Sequence, residues 1–189
     1  MPRILAFAGS ARQQSLNFKL VQVALKGAES AGAQVTLLNL RDYPLPLFDQ
    51  DLEAEGTPEN VFKLKDLFKS HDGFLIACPE YNSSITPLLK NTIDWVSRPA
   101  PNETPLECFK GKVASLMAAS PGKLGGLRGL VHVRSILGNI GVIVLPTQVA
   151  VPEATEAFYP HAQLKDPRQQ SAIEGLGAEL TGVLGKLRG

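Results

Sequence analysis

The sequence predicts an α/β fold built on a doubly wound parallel sheet, and three observations carry that expectation. Short β-rich apolar runs alternate with longer segments of helical period, the arrangement that places helices on both faces of a parallel sheet. A length of 189 residues suits one domain, which would bury roughly 70% of its unfolded-chain surface. No internal repeat, low-complexity tract or break in composition marks a linker, so residues 1–189 are expected to form a single domain.

The elements follow in order. Residues 3–8 (RILAFA) read as the first strand, and residues 16–31 as a helix whose Leu16, Leu20, Val23, Ala24 and Ala28 recur at three and four before Gly32 ends it. Residues 34–40 (QVTLLNL) form the second strand, and an irregular stretch covers 42–56. Thr57 is the expected cap of the next helix with Pro58 at its first position, and Val61, Leu64, Leu67 and Phe68 make its buried stripe up to His71. Residues 73–78 (GFLIAC) are the third strand and 86–97 a helix. After a Pro-rich excursion at 98–110, residues 113–119 (VASLMAA) form the fourth strand. A helix over 127–139, a fifth strand over 142–145 and a final helix over 169–187 complete five strands and five helices, with 42–56 and 98–110 as surface loops.

Composition excludes several classes of function. With 44% apolar and 20% charged residues the chain is neither disordered nor fibrous, and no apolar run approaches the ~18–20 residues of a membrane span. A formal charge of +1 offers no general attraction to nucleic acid or to anionic membranes. Two cysteines, Cys78 and Cys108, cannot form a disulfide framework, and the few apolar residues before Gly9 are too short for a secretory leader, so the expected location is the cytoplasm. His71, His132 and His161 lie far apart without the spacing of metal ligands, and no metal is expected.

In an open doubly wound sheet, ligands bind beyond the carboxyl ends of the strands where the strand order reverses. For the order 2-1-3-4-5 that point lies between strands 1 and 3. The loops leaving strands 1, 3 and 4 are the polar and glycine-rich ones: residues 9–17 (GSARQQSLN), 79–84 (PEYNSS) and 120–126 (SPGKLGG). The first opens a helix whose free N–H groups favour an anion. Ser10, Ser15 and Asn17 add donors, Arg12 adds a guanidinium, and Gly9 is read as letting the backbone turn out of the strand. The loop is neither G-x-G-x-x-G nor G-x-x-x-x-G-K-[ST], so a monophosphate suits it better than a pyrophosphate or triphosphate. The same residues also suit a helix N-cap beside a solvated surface arginine. The second loop sets Tyr81 and Asn82 behind Pro79, where a flat heteroaromatic could lie, or where Asn82 and Ser83 simply satisfy their own turn. The third permits close backbone approach to a ligand, or is an ordinary flexible turn.

Taken together these segments resemble the NADPH-dependent FMN reductase family of flavodoxin-like proteins, which includes bacterial quinone, chromate and azo-dye reductases. Gly9-Ser10-x-Arg12-x-x-Ser15-x-Asn17 is similar to the family's FMN-phosphate loop. Pro79-Glu80-Tyr81-Asn82-x-Ser84, with Leu89-Lys90-Asn91-x-x-Asp94-Trp95, is similar to its flavin-ring segment and following helix. Ser120-x-Gly122-x-x-Gly125-Gly126 resembles the third flavin-contacting turn, and residues 44–51 (PLPLFDQD) the family's acidic loop. The resemblance runs from the first strand to about Thr147 and then fades.

It implies a flavodoxin-like fold with Ser10, Arg12, Ser15 and Asn17 on the FMN phosphate, and with Pro79, Glu80, Tyr81, Asn82, Ser120 and Gly122 along the isoalloxazine. It implies no catalytic acid or base, since the chemistry is carried by FMN, with NADPH or NADH as hydride donor. The implied reaction is ping-pong reduction of a quinone, azo compound, metal oxyanion or free flavin by a homodimer or homotetramer. Trp95 and Arg98 resemble residues the family uses near subunit interfaces, although a large aromatic such as Trp95 is in itself a core residue. Cys78, beside the ring segment, invites a redox role, but a cysteine ending a buried strand behaves as a small apolar residue. Two other readings stay open: an FMN-binding electron carrier without its own acceptor, disfavoured by the near-neutral charge, and a non-redox binder of a phosphate ligand on the same fold.

Overall fold

The computed structural model describes residues 1–188. Strand β1 (Arg3–Ala8) is buried from Ile4 onward, as an unbroken apolar run must be in a parallel strand covered on both faces. It leads through an N-cap, Ser15, into α1 (Leu16–Ser30) and then β2 (Gln34–Leu38). A single 3-10 turn (Leu40–Asp42), α2 (Gln50–Glu55) and α3 (Glu59–Ser70) precede β3 (Gly73–Ala77). The chain continues with α4 (Pro87–Val96), β4 (Val113–Ala119), α5 (Leu127–Asn139), β5 (Ile143–Val151) and α6 (Pro167–Arg188). Two hairpins lie outside the sheet and pair Glu80–Tyr81 with Ser84–Ile85 and Phe158–Tyr159 with Gln163–Leu164.

The five strands form one parallel sheet in the order β2-β1-β3-β4-β5, so the direction of winding reverses between β1 and β3, where the sequence places it. One core lies under α1 and α6. The other lies under α3, α4 and α5 around Phe7, Phe68, Phe74 and Phe109, whose ring centroids are 5.1 to 6.4 Å apart. No helix among the described residues is long and apolar enough to cross a membrane.

Several elements differ from the sequence expectation, each for a local reason. β2 stops at Leu38 because the Asn39 side chain accepts the Arg41 N–H at 3.2 Å and turns the chain into the 3-10 turn. α3 begins at Glu59, with the extended Pro58 rather than Thr57 at the cap position. The stretch 42–56 contains α2, capped by Asp49, which accepts the Asp51 N–H at 2.7 Å. β5 runs on to Val151 through Pro146, which an edge strand tolerates. Its register shifts there, and the Arg134 guanidinium collects the carbonyls of Val144 and Leu145 at 3.2 and 2.8 Å. α6 starts at Pro167 behind Asp166, which accepts the Arg168 N–H at 2.8 Å.

Neither of the two excursions read as loops hangs free. Trp95 is fully buried and its Nε1–H donates to the Pro46 carbonyl at 2.8 Å, while Asn91 donates to the same carbonyl and accepts the Phe48 N–H, both at 2.8 Å. Arg98 pairs with Glu53 at 2.8 Å and lies over the Phe48 ring, so the two residues that suggested a subunit interface are engaged within their own chain. Residues 98–110 are anchored by Glu103, held between Lys65 at 2.7 Å and Lys69 at 2.8 Å.

α1 and α6 touch backbone to backbone. A Cβ added at Gly27 would lie 2.0 Å from the Glu174 carbonyl oxygen, and one at Gly177 would lie 2.1 Å from that of Ala24. Gly177→Ala is therefore expected to destabilise the protein by about 3 kcal/mol or more through overpacking, measured by urea denaturation, whereas Gly175→Ala, which faces open space, should not. Burial by itself raises the Glu103 carboxyl, but the hydrogen bonds from Lys65 and Lys69 outweigh it and hold the pKa below the ordinary glutamate value. With the folded-state pKa depressed, this stabilisation is complete above the ordinary value of 4.5 and is lost as pH falls below it. Glu103→Gln should accordingly show a shallower loss of urea stability than the parent between about pH 5 and pH 3.

Candidate functional site

The segments leaving β1, β3 and β4 meet in one open crevice of about 240 Å³. Gly9 continues the ladder of β1, donating its N–H to the Ala77 carbonyl at 2.9 Å, and its own carbonyl accepts the Thr86 hydroxyl at 2.7 Å. Glycine stands here because α4 approaches: a Cβ would come within 2.8 Å of Leu89 Cβ. This corrects the sequence reading, since Gly9 is not among the glycines of positive φ.

The next turn gathers donors. Ser15 accepts the Phe18 N–H at 3.2 Å and keeps its own hydroxyl proton, while the first-turn N–H groups of Leu16 and Asn17 have no helical acceptor. The Arg12 N–H reaches Ser10 Oγ at 3.3 Å and its guanidinium donates to the Gln14 carbonyl at 2.6 Å. No carboxylate lies within ion-pair distance of Arg12 among the described residues. Asn17, 4% exposed, is bound on both sides of its amide: Nδ2 donates to the Ala119 carbonyl at 2.8 Å and Oδ1 accepts the Ala119 N–H at 2.9 Å. This residue therefore ties α1 to the end of β4 and keeps one amide proton for the crevice.

The second segment is a hairpin rather than a loop. Asn82 and Ser83, at φ 50° and 65°, form its two-residue turn, and a positive φ at both central positions is that of a type I′ turn. Three bonds hold it against α5: the Gly129 N–H donates to Glu80 Oε2 at 2.9 Å, Arg128 donates to Ser83 Oγ at 3.3 Å, and Ser84 Oγ lies 2.7 Å from His132 Nδ1. Gly126 has no side chain with which to cap α5, so Glu80 does so from outside. Tyr81 stands 59% exposed at the rim.

The third segment is joined to the turn after β5. Ser120 donates its N–H to the Val151 carbonyl at 3.2 Å and accepts the Ala154 N–H at 3.0 Å. Gly125 and Gly126, at φ +63° and +93°, lie so close to Val151 and Ala118 that a Cβ would meet them at 2.7 and 2.8 Å.

Of the residues singled out in the sequence, Ser10, Arg12, Ser15, Asn17, Pro79, Glu80, Tyr81 and Ser120 line the crevice together. Asn82, at the tip of the hairpin, and Gly122, beyond Pro121, lie outside that lining. Pro121, between Ser120 and Gly122 of the third loop, lines it too; Leu16 and Ala119 also line it and were missed, and their adjacency to the polar positions was the available signal. Cys78 is fully buried, and burial pushes its thiol far above the ordinary range, as suits a small apolar residue at the end of a buried strand. One end of the crevice thus offers hydroxyls, free N–H groups and a cation. The other offers a proline, an aromatic ring and backbone, with the Glu80 carboxylate turned to α5. That donor set suits a phosphate monoester carrying a planar ring.

Known proteins resemble this chain in sequence and in fold. The model of the NADPH-dependent FMN reductase family matches residues 2–156. An NAD(P)H-dependent FMN reductase of Pseudomonas aeruginosa is 33% identical over 91% of this chain and 89% of its own length. A quinone reductase of Escherichia coli is 33% identical over 76% of this chain and 73% of its own. Among solved structures, the flavoenzyme NAD(P)H:acceptor oxidoreductase FerB of Paracoccus denitrificans superimposes with a TM-score of 0.81 at 29% identity, covering 98% of each chain. An archaeal flavodoxin shares the fold at a TM-score of 0.61 and 10% identity.

The Asn17 clasp is open to direct test. Asn17→Ala leaves the Ala119 N–H and carbonyl without partners at a buried position, and is expected to lower the stability to urea by roughly 2–3 kcal/mol.

Proposed function

The chain belongs to the NADPH-dependent FMN reductase family, and from that premise we propose that it is an NAD(P)H-dependent FMN oxidoreductase that delivers electrons to a small-molecule acceptor. The observation that carries the proposal is the convergence of the loops after β1, β3 and β4 on one crevice at the switch point of the sheet. Ser10, Arg12, Ser15 and Asn17 would hold the FMN phosphate, with the guanidinium supplying the charge and the start of α1 the N–H groups. Pro79, Glu80, Tyr81, Asn82, Ser120 and Gly122 would border the ring. The hairpin presents its backbone edge and Tyr81, while Asn82 and Gly122 shape their turns from outside the lining.

When bound, FMN supplies hydride acceptance from a nicotinamide and electron delivery to a quinone, azo compound, metal oxyanion or free flavin. The protein's part is orientation. Glu80 is tied to α5 through Oε2, and Cys78 is fully buried away from the crevice lining. The crevice is open to solvent at Tyr81, which suits a ping-pong order in which donor and acceptor use one face in turn. The names of the relatives from Pseudomonas aeruginosa and Escherichia coli support the donor and the acceptor class respectively. We read the whole chain as one FMN-binding unit that acts in the cytoplasm as a homodimer or homotetramer.

The first experiment is an absorbance spectrum after FMN addition and gel filtration, followed by anaerobic NADPH and then NADH. Retained flavin absorbance that bleaches with either nucleotide is the expected result. Retained flavin that neither reduces would make the protein a carrier, and no retained flavin would refute the site. Arg12→Ala is expected to weaken FMN binding by about 1–3 kcal/mol, measured by fluorescence titration, and an unchanged affinity would remove Arg12 from the phosphate site.

A further inference from the structure

A second opening, of about 360 Å³, adjoins the first on the side of β2. The two share Ser10 and Arg12, and Gln13, Phe18 of α1 and Asn39, Arg41 and Asp42 of the turn after β2 complete the new one. Its polar groups are set for an outside partner. Neither Arg12 nor Arg41 has a carboxylate within ion-pair distance among the described residues, and Asp42 has no cation. The Asn39 side chain accepts the Arg41 N–H at 3.2 Å, and the Asp42 N–H donates to the Asn39 carbonyl at 3.1 Å, which fixes the turn that carries both charges. Phe18, half-buried against the α1 core, adds an aromatic wall.

We propose that this opening is a subsite for an adenosine phosphate, contiguous with the phosphate loop. Arg41 supplies the charge for a phosphate group, because a guanidinium can grip two of its oxygens at once, while Arg12 stays with the flavin phosphate at the shared wall. Phe18 supplies the apolar surface for a purine face, and Asp42 an acceptor for a ribose hydroxyl or the exocyclic amine. The place in the fold supports the assignment. In the dinucleotide-binding branch of doubly wound sheets the carboxyl end of the strand beside the phosphate loop is where an acidic side chain takes a ribose hydroxyl and an arginine a ribose phosphate, and here Arg41 and Asp42 stand together at the corresponding strand end, without that branch's glycine fingerprint.

Two molecules carry this chemistry: the adenosine half of a nicotinamide donor, and the adenylate half of a flavin dinucleotide whose other phosphate lies at Ser10 and Arg12. The proposal rests on the flavin-site reading in placing that second phosphate, and the test separates the two.

FMN-loaded and flavin-free protein are each titrated calorimetrically with 2′,5′-ADP, and the flavin-free protein also with FMN and FAD. The expected result is binding of 2′,5′-ADP, which assigns the subsite to the phosphorylated donor, or an advantage of FAD over FMN of about tenfold, which assigns it to the flavin dinucleotide. In either case Arg41→Ala weakens that binding about tenfold and leaves FMN affinity within about twofold. Failure of both, or binding that Arg41→Ala leaves unchanged, overturns the proposal. A protein that takes up no flavin but binds 2′,5′-ADP through Arg41 refutes the reductase reading and leaves the subsite standing.

Discussion

The pair of hydrogen bonds between the Asn17 amide and the backbone of Ala119 is the constraint on which the crevice depends. It joins positions 102 residues apart in sequence and links the start of α1 to the end of β4 over the point where the sheet reverses direction. Buried amide and peptide groups must find partners, and here each satisfies the other, so the clasp forms as the sheet closes. Thr86 makes the matching tie on the other side, with its hydroxyl on the Gly9 carbonyl and its oxygen accepting the Leu89 N–H. The loops after β1 and β4 and the start of α4 are thereby set relative to one another before any ligand arrives. Such preorganisation is what orientation of a cofactor requires.

The same economy of side chains recurs around the site. Ser15 caps α1 and lines the crevice, and Glu80 lines the crevice while capping α5. A helix start satisfied by its own cap still leaves N–H groups for an anion, which is why a phosphate loop and a well-capped helix are compatible. The hairpin at 80–85 gains its order from α5 through Glu80, Ser83 and Ser84, which lets it stand beyond the sheet with Tyr81 exposed.

Charge is distributed locally rather than globally. The net charge of +1 gives no long-range field, yet Arg12 and Arg41 stand without carboxylate partners at neighbouring openings on one rim. Lys65, Lys69 and Glu103, by contrast, are paired with one another beneath the 98–110 segment. Near these openings Glu80 is tied to α5 through one carboxylate oxygen, and Cys78 is fully buried.

The sequence by itself determined the five strands and the polar loops that face the crevice, because strand and helix periods, N-caps and glycine turns are local properties of neighbouring residues, whereas the strand order came with the family resemblance and is fixed by the packed sheet. Arg12 and Ser15 were legible for the same reason, since a donor-rich turn opening a helix carries its chemistry within a few residues. What the tertiary structure decided are the partners across long separations. Asn17 is a clasp as well as a donor, Glu80 is the cap of a helix 49 residues away, and Gly9 is glycine because Leu89 approaches it. The 42–56 stretch was read as loose because its anchors, Asn91, Trp95 and Arg98, lie on or just after α4. The placing of Arg41 beside Arg12 likewise depends on β1 and β2 lying side by side. Local sequence shows which backbone groups need partners, and only the packed sheet shows which distant side chains supply them.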